Sequence, residues 1–215
     1  MLLFSPYLRY LNFFFLIILH ICPAFAIQGK YVIRNFTSTD YKAGIQNIDF
    51  AQNRDQSIYV ANNLGVLSYN GIDWKIHTFS TGEKIRSLAF DDSTNRLYVG
   101  SQGQFGYFDQ EWTYVSLLEL ISENDLNFDE VWDVFLINSK VYFCTFQGIY
   151  IYDGASIELV KHPYGLDRSF SVDGKLYTQS QNGQLLELKG KELIASYAQQ
   201  NKNEVIAGIT RTEDG

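Results

Sequence analysis

The sequence is poor in cysteine, histidine and positive charge. Of its 2 cysteines, Cys22 falls within an apolar N-terminal leader, so the rest of the segment cannot form an internal disulfide. None of its 3 histidines has a second histidine or cysteine at metal-ligand spacing. Acidic residues (24) outnumber basic ones (17), and no basic cluster is present that could neutralise phosphates. We therefore expect no direct contact of this segment with DNA or RNA.

Catalytic signatures are missing as well. The sequence has no Gly-x-Ser-x-Gly, no P-loop and no Gly-x-Gly-x-x-Gly between a strand and a helix. Turn chemistry accounts for the acidic pairs 91–92 and 129–130. His77 and His162 are expected to be solvated at strand ends. Cys144, in an apolar strand-like run, is expected to be a buried small residue rather than a reactive thiol. The sequence therefore predicts no catalytic residue, no metal and no cofactor in this segment.

The N-terminus has the three parts of a secretory signal peptide. Arg9 precedes an apolar run over residues 11–21, and the small-residue pattern Ala24-Phe25-Ala26 follows it. The apolar run is shorter than the roughly 20 residues that a membrane-spanning helix needs. We predict a signal peptide over residues 1–26 and an exported domain over 27–215. An uncleaved membrane anchor is the alternative.

The composition of the chain favours β-structure. Aromatic residues make up 16% of it, with 15 tyrosines and 16 phenylalanines, and hydrophobic residues make up 46%. Aromatic side chains fit the pleated, half-buried surface of a sheet. This share of apolar residues is enough for a core, so the chain is expected to be an all-β globular domain.

Four segments of the chain align on a tyrosine and recur about every 40 residues. The anchors are Tyr59, Tyr98, Tyr142 and Tyr177. Glycine lies six positions after three of the four anchors, and an aromatic residue lies ten positions after the first three, where the fourth repeat has Glu187. Such a period is typical of repeat architectures rather than of a single sandwich core.

Each repeat divides into four short strands. In the second they are predicted over 85–90, 96–101, 105–108 and 112–115, and in the third over 131–137, 140–145, 148–152 and 157–160. Asn70-Gly71 and Asp153-Gly154 are predicted to form type I′ hairpin turns. Four strands in about 40 residues is the size of a propeller blade.

The inner strands are apolar on both faces, which requires a packed neighbour on each side. We therefore predict a β-propeller of four-stranded antiparallel blades, with four blades here and the start of a fifth over 205–215. A chain that ends within a blade is expected to be a fragment of a longer protein. The β-sandwich is the alternative fold.

Two stretches of the repeats resemble a known family. The residues Ala61-Asn62, Gly65, Gly71 and Trp74, together with Val99-Gly100-Ser101 and Phe105-Gly106-Tyr107, resemble the two-component regulator propeller family. The resemblance covers roughly residues 30–215 and is loose in the fourth repeat. It is strongest to periplasmic propellers that precede a triple-tyrosine (YXYXY) domain, a membrane helix and a cytoplasmic output, which is a LuxR-type helix-turn-helix or a histidine kinase.

The resemblance implies an extracytoplasmic sensor, periplasmic and anchored in the inner membrane through the rest of its chain. Its expected partners are a small-molecule or glycan ligand and the remainder of its own chain, namely further blades, the triple-tyrosine domain, the membrane helix and the effector. A second copy of the chain is a further partner left open. Two other functions also stay open: an exported propeller enzyme (a lyase or glycosidase) and a protein-binding scaffold.

Candidate ligand-binding residues are the polar and aromatic side chains on otherwise apolar inner strands, because propellers bind where these strands converge. They are Asn47, Asp49, Arg86, Trp132, Asp133 and Arg168. Aromatic rings and charged groups that form paired hydrogen bonds suit sugars or carboxylates. The alternative is that these residues only make strand-end hydrogen bonds and packing contacts.

Overall fold

The structure, a computed structural model, describes residues 33–78, 82, 84–197 and 204–212. The chain divides into two units, 1–35 and 36–215, and the described part of the first, 33–35, is coil. The predicted signal peptide lies outside the described residues. Among the residues described, no helix has both the length and the apolarity to span a membrane.

The described residues of the second unit form sixteen strands and very little helix. The strands are β1 Asn47–Gln52, β2 Ile58–Asn62, β3 Gly65–Tyr69, β4 Trp74–His77, β5 Ile85–Asp91, β6 Arg96–Ser101, β7 Phe105–Phe108, β8 Tyr114–Ser116, β9 Val131–Ile137, β10 Lys140–Thr145, β11 Ile149–Tyr152, β12 Ile157–Val160, β13 Leu166–Val172, β14 Lys175–Ser180, β15 Leu185–Lys189 and β16 Glu192–Tyr197. The helices are α1 Ser38–Tyr41 and two 3₁₀ turns, Leu118–Leu120 and Glu123–Asp125.

The strands form four antiparallel four-stranded sheets, each a meander of consecutive strands. We call these sheets blades 1 to 4 in chain order. The first strand of each blade lies beside the first strand of the next, so that β1, β5, β9 and β13 form the inner row. Consecutive blades therefore fan around one side and pack face to face. This arrangement confirms the predicted β-propeller and excludes two opposed sandwich layers.

The repeated tyrosine of blades 1 and 2 packs against an aromatic ring of the following blade. The Tyr59 ring of blade 1 stacks on Phe90 of blade 2, with 5.0 Å between ring centroids. The Tyr98 ring of blade 2 meets Phe143 of blade 3 edge to face, at 6.3 Å. Separate apolar clusters fill the interfaces between blades 1 and 2, 2 and 3, and 3 and 4. Blades 2 and 3 are thus buried on both faces, as their apolar inner strands predicted.

The hairpins are where predicted, but the turns at 70–71 and 153–154 are not of the predicted type. Gly71 and Gly154 have positive φ, whereas Asn70 and Asp153 do not, so neither turn is type I′. These connections span four residues, and the Asn70 and Asp153 side chains each accept two backbone N–H bonds from the turn. Positive φ at both central residues occurs instead at 138–139 and 173–174, where the connections are two residues long.

Two predicted strands begin later than expected. Residues 112–115 were predicted as a strand, but β8 begins at Tyr114, because Trp112 takes a left-handed conformation (φ 62°) and inserts between blades 1 and 2. Strand β11 begins at Ile149 rather than at residue 148.

The segment predicted to start a fifth blade forms no strand over 204–212. It still lies beside blade 4. The Gln179 side chain donates to the Glu204 carbonyl (2.7 Å) and accepts from the Ile206 N–H (2.9 Å).

Candidate functional site

Polar side chains of the inner row tie each blade to the next. The Asp49 carboxylate on β1 accepts a hydrogen bond from the Leu88 N–H on β5, at 2.9 Å. The Ser87 hydroxyl on β5 donates to the Val131 carbonyl on β9, at 3.1 Å. On β9, the Asp133 carboxylate accepts from the Ser169 N–H on β13, at 3.4 Å. Buried backbone groups at the three interfaces are thereby paired across the blades.

Burial changes the acidity of both aspartates. Desolvation raises the pKa of Asp49 above its ordinary value, against the opposing effect of the N–H bonds from Leu88 and Phe50. For Asp133 burial also dominates and raises the pKa to about 6. The Ser169 N–H and the Arg168 guanidinium lower this pKa, while the neighbouring Asp49 carboxylate raises it. Burial therefore moves the pKa of Asp133 towards neutrality.

An ion pair joins blades 2 and 3 at the same level. The Arg86 guanidinium donates to the Glu130 carboxylate through Nη2 (2.8 Å) and Nε (3.2 Å). The two side chains are only 22% and 12% exposed. The Arg86 guanidinium also lies over the Trp132 ring, 5.4 Å from its centroid. The Arg86 side chain thus already has an ionic partner and an aromatic contact on the neighbouring blade.

An open cleft of about 680 Å³ follows the inner strands of blades 3 and 4. Trp132 and Phe146 form one wall as stacked rings, 5.2 Å apart and inclined by 25°. The other wall is the β13 stretch from Asp167 to Ser171, and residues 207–209 border the cleft. Trp132 is 38% exposed, so part of its ring is open to solvent. The size of the cleft falls in the range of small-molecule sites.

The structure brings together four of the six predicted residues. Trp132, Asp133 and Arg168 line the cleft, and Arg86 adjoins it through the Trp132 ring. Asn47 and Asp49 do not line it. The Asn47 side chain accepts from Asn62 (2.7 Å) and donates to the Tyr41 hydroxyl (3.4 Å), and it thereby helps to fix the segment before β1. Asn47 thus makes contacts of the strand-end kind, whereas the Asp49 carboxylate makes the inter-blade bond to Leu88.

Sequence reasoning missed Phe146, which completes the stacked pair. Phe146 follows its anchor tyrosine by four positions, and the other repeats have the polar residues Asn63, Gln102 and Gln181 there. An aromatic residue at a position that is otherwise polar was the available signal. The Glu130 partner of Arg86 was also missed, because residues 129–130 were assigned to turn chemistry alone.

Three other residues complete the comparison with the sequence predictions. His77 is half-buried rather than fully solvated: its ring stacks on Trp112, and burial lowers its pKa to about 4. Cys144 is buried, and burial raises the pKa of its thiol, so it is the inert small residue predicted. Glu187, which breaks the aromatic pattern of the repeat, is held by Lys175 (3.5 Å) and Lys189 (3.4 Å).

The cleft supplies the groups used in recognition of ring-shaped polar molecules. A partly exposed tryptophan offers a flat apolar surface, and the carboxylate, guanidinium and serine hydroxyls of β9 and β13 offer hydrogen bonds beside it. Within the described part of the chain, no group of three or more His, Cys, Asp or Glu side chains is arranged to hold a metal ion. The cleft thus places an aromatic surface beside groups that can form hydrogen bonds.

Comparison with known proteins gives similarity at the level of the fold. No protein-family model matches the sequence, and no curated protein matches it either. Among solved structures, the extracellular domain of BT4673 from B. thetaiotaomicron, described as a one-component or hybrid two-component system, is 17% identical with a TM-score of 0.55. The match covers 74% of this chain and 24% of that chain, so the present chain spans about a quarter of it.

Two further structures share the fold. The virginiamycin B lyase of Staphylococcus aureus is 11% identical with a TM-score of 0.65, over 84% of this chain and 64% of the lyase. The WD40 β-propeller domain of Doa1 is 14% identical with a TM-score of 0.56, over 72% of this chain and 55% of that one. The chain thus has the blades of a β-propeller, a fold similar to that of the extracellular domains of bacterial one- and two-component systems.

Proposed function

We propose that this chain is the extracytoplasmic, ligand-binding sensor segment of a membrane-spanning bacterial signal-transduction or transcriptional regulator. The blades resemble those of extracellular domains from such systems, and the N-terminal sequence has the pattern of an export signal. The membrane anchor and the DNA-binding or kinase output belong, in this proposal, to other parts of the full-length protein.

The observation that carries the proposal is the half-open Trp132–Phe146 stack in a cleft of ligand size. Trp132 stays 38% exposed beside buried blade interfaces, so part of its ring is open to a ligand. Partly exposed aromatic rings in concave polar surroundings are typical of binding sites. In this proposal, the cleft binds a small polar molecule with a ring, such as a saccharide.

The role of Trp132 can be tested by removing its ring. We expect Trp132→Ala to weaken ligand binding by about tenfold or more, because one buried face of an aromatic anchor carries a large share of binding energy in such sites. The measurement is a saccharide panel screened by saturation-transfer NMR with the purified protein, followed by titration of the best binder. In the full-length regulator, the same variant should shift the response of a reporter to higher ligand concentration.

Tyr164→Ala is the matched control. Tyr164 is 61% exposed and lies outside the cleft, so its removal should leave both binding and the reporter unchanged. Equal binding by the wild type and by Trp132→Ala would show that the ligand does not bind in the cleft.

The second candidate is an exported lyase, favoured by the structural likeness to virginiamycin B lyase. An assay of the intact protein against glycans separates the two functions. Turnover of a bound glycan, with product formed in proportion to protein, would favour the enzyme. Binding without turnover supports the sensor.

A further inference from the structure

The Asp133 side chain belongs both to a blade interface and to the cleft. Its carboxylate ties blade 3 to blade 4 through the Ser169 N–H, and the same side chain lines the cleft between these blades. No other acidic group among the described residues combines an inter-blade hydrogen bond with a place in this cleft. A change in the charge of Asp133 therefore reaches both the packing of the two blades and the electrostatics of the site.

Charged and titratable groups face Asp133 from each strand packed around it. On β13, the Arg168 guanidinium favours the ionised form of the Asp133 carboxylate. Asp167 lies next to Arg168 in the cleft wall. From β1, the Asp49 carboxylate disfavours a second negative charge. The buried Cys144 thiol of β10 also lies near Asp133. On the β5 side, Arg86 is already neutralised by Glu130.

We propose that proton uptake by Asp133 regulates the cleft, stabilising the folded protein and raising the affinity of the cleft for an anionic ring ligand. This inference rests on the proposed function for its ligand, but not for its effect on stability. Loss of the carboxylate charge removes the repulsion with Asp49 and an uncompensated desolvation cost. It also removes a negative charge that attracts the Arg168 guanidinium, so that the guanidinium is available to a ligand carboxylate.

The direction of the pH dependence follows from the raised pKa. Because the folded-state pKa of Asp133, about 6, lies above the ordinary value of 3.8, the folded protein binds this proton more tightly than the unfolded chain does. The stabilising contribution is therefore gained as the pH falls through about 6, and it is lost as the pH rises back through that value.

The first experiment follows Asp133 itself. In the protein carrying ¹³C-labelled aspartate, the Asp133 carboxyl resonance, assigned by its loss in Asp133→Asn, should titrate with a midpoint near 6. The thermal midpoint of the wild type should rise by about 3–6 °C between pH 7.5 and pH 5, relative to Asp133→Asn over the same range. Asp49→Asn is the control that removes the other partly buried carboxylate of the inner row: the Asp133 transition should persist, with its midpoint below that of the wild type, because Asp49 helps to raise the pKa of Asp133.

The second experiment uses glucuronate and glucose as probes at pH 7.5 and pH 5. We expect glucuronate to bind about threefold to tenfold more tightly at the lower pH, with glucose unchanged, because only the anion gains from the lost carboxylate charge. Asp133→Asn should bind glucuronate equally at both pH values.

The outcomes separate this inference from the proposed function. A midpoint for Asp133 below 5, with sugars bound equally at both pH values, overturns proton regulation and leaves the sensor proposal standing. A midpoint near 6 and a thermal shift abolished in Asp133→Asn, with neither sugar bound, supports the proton effect on stability and counts against a saccharide site.

Discussion

Replacing Phe143 by alanine should lower the free energy of unfolding by about 3–5 kcal/mol, the largest effect that we expect from one substitution in this chain. Phe143 on β10 is fully buried, and its ring stacks on Phe105 of β7 with 4.3 Å between centroids. The pair therefore fills the interface between blades 2 and 3. Removing one ring loses its transfer free energy and leaves a cavity that two rigid sheets cannot collapse to fill.

Phe50→Ala is the control for this prediction. The same side chain is removed, but Phe50 on β1 is 61% exposed, so the expected change is within about 0.5 kcal/mol. Urea unfolding followed by circular dichroism measures both variants. Similar losses for Phe143→Ala and Phe50→Ala would contradict the packing of blade 2 against blade 3.

Replacing Arg86 by methionine should cost about 2–4 kcal/mol, because the Glu130 carboxylate would be left buried without its partner. Methionine keeps most of the apolar stem of the side chain, so the loss would report the charge rather than the packing. Urea unfolding at neutral pH again gives the measurement.

The double variant Arg86→Met/Glu130→Gln tests whether the cost comes from the broken pair. With no carboxylate left to neutralise, we expect it to recover more than half of the stability lost in Arg86→Met alone. A double variant that is no more stable than Arg86→Met would mean that Arg86 acts through Trp132 rather than through Glu130. Ligand binding by a well-folded double variant would then measure what Arg86 contributes to the cleft.

Local features of the fold could be predicted from the sequence because each has a short-range cause. The tyrosine period of about 40 residues and the two-sided apolar strands require stacked sheets, whatever the details of packing. In the second and third repeats the strand limits were correct to within one or two residues, since glycine and asparagine mark the connections, whereas the strand predicted to begin a fifth blade is absent over 204–212. The turn types were less predictable, because a turn is decided by its length as well as by its dipeptide. The Asn70 and Asp153 turns span four residues and are closed by their own side chains.

The candidate site was predictable in part, for a physical reason that particular residues show. A polar residue on an apolar inner strand is visible in the sequence, and this identified Trp132, Asp133 and Arg168. The sequence does not show which polar group already has a partner. Asp49 is satisfied by Leu88 from the next blade, and Arg86 by Glu130, at separations of about 40 residues set only by how the blades stack.

By itself, the sequence determined the repeat, the strands within it and the need for each sheet to be covered on both sides, because periodicity and side-chain hydrophobicity are local properties. Only the tertiary structure decided that Phe146 meets Trp132, that Asp133 lies both in an interface and in a cleft, and that the His77 ring is half-buried against Trp112. These outcomes depend on contacts between residues distant in the chain, and such contacts are fixed by the packing of one blade against another.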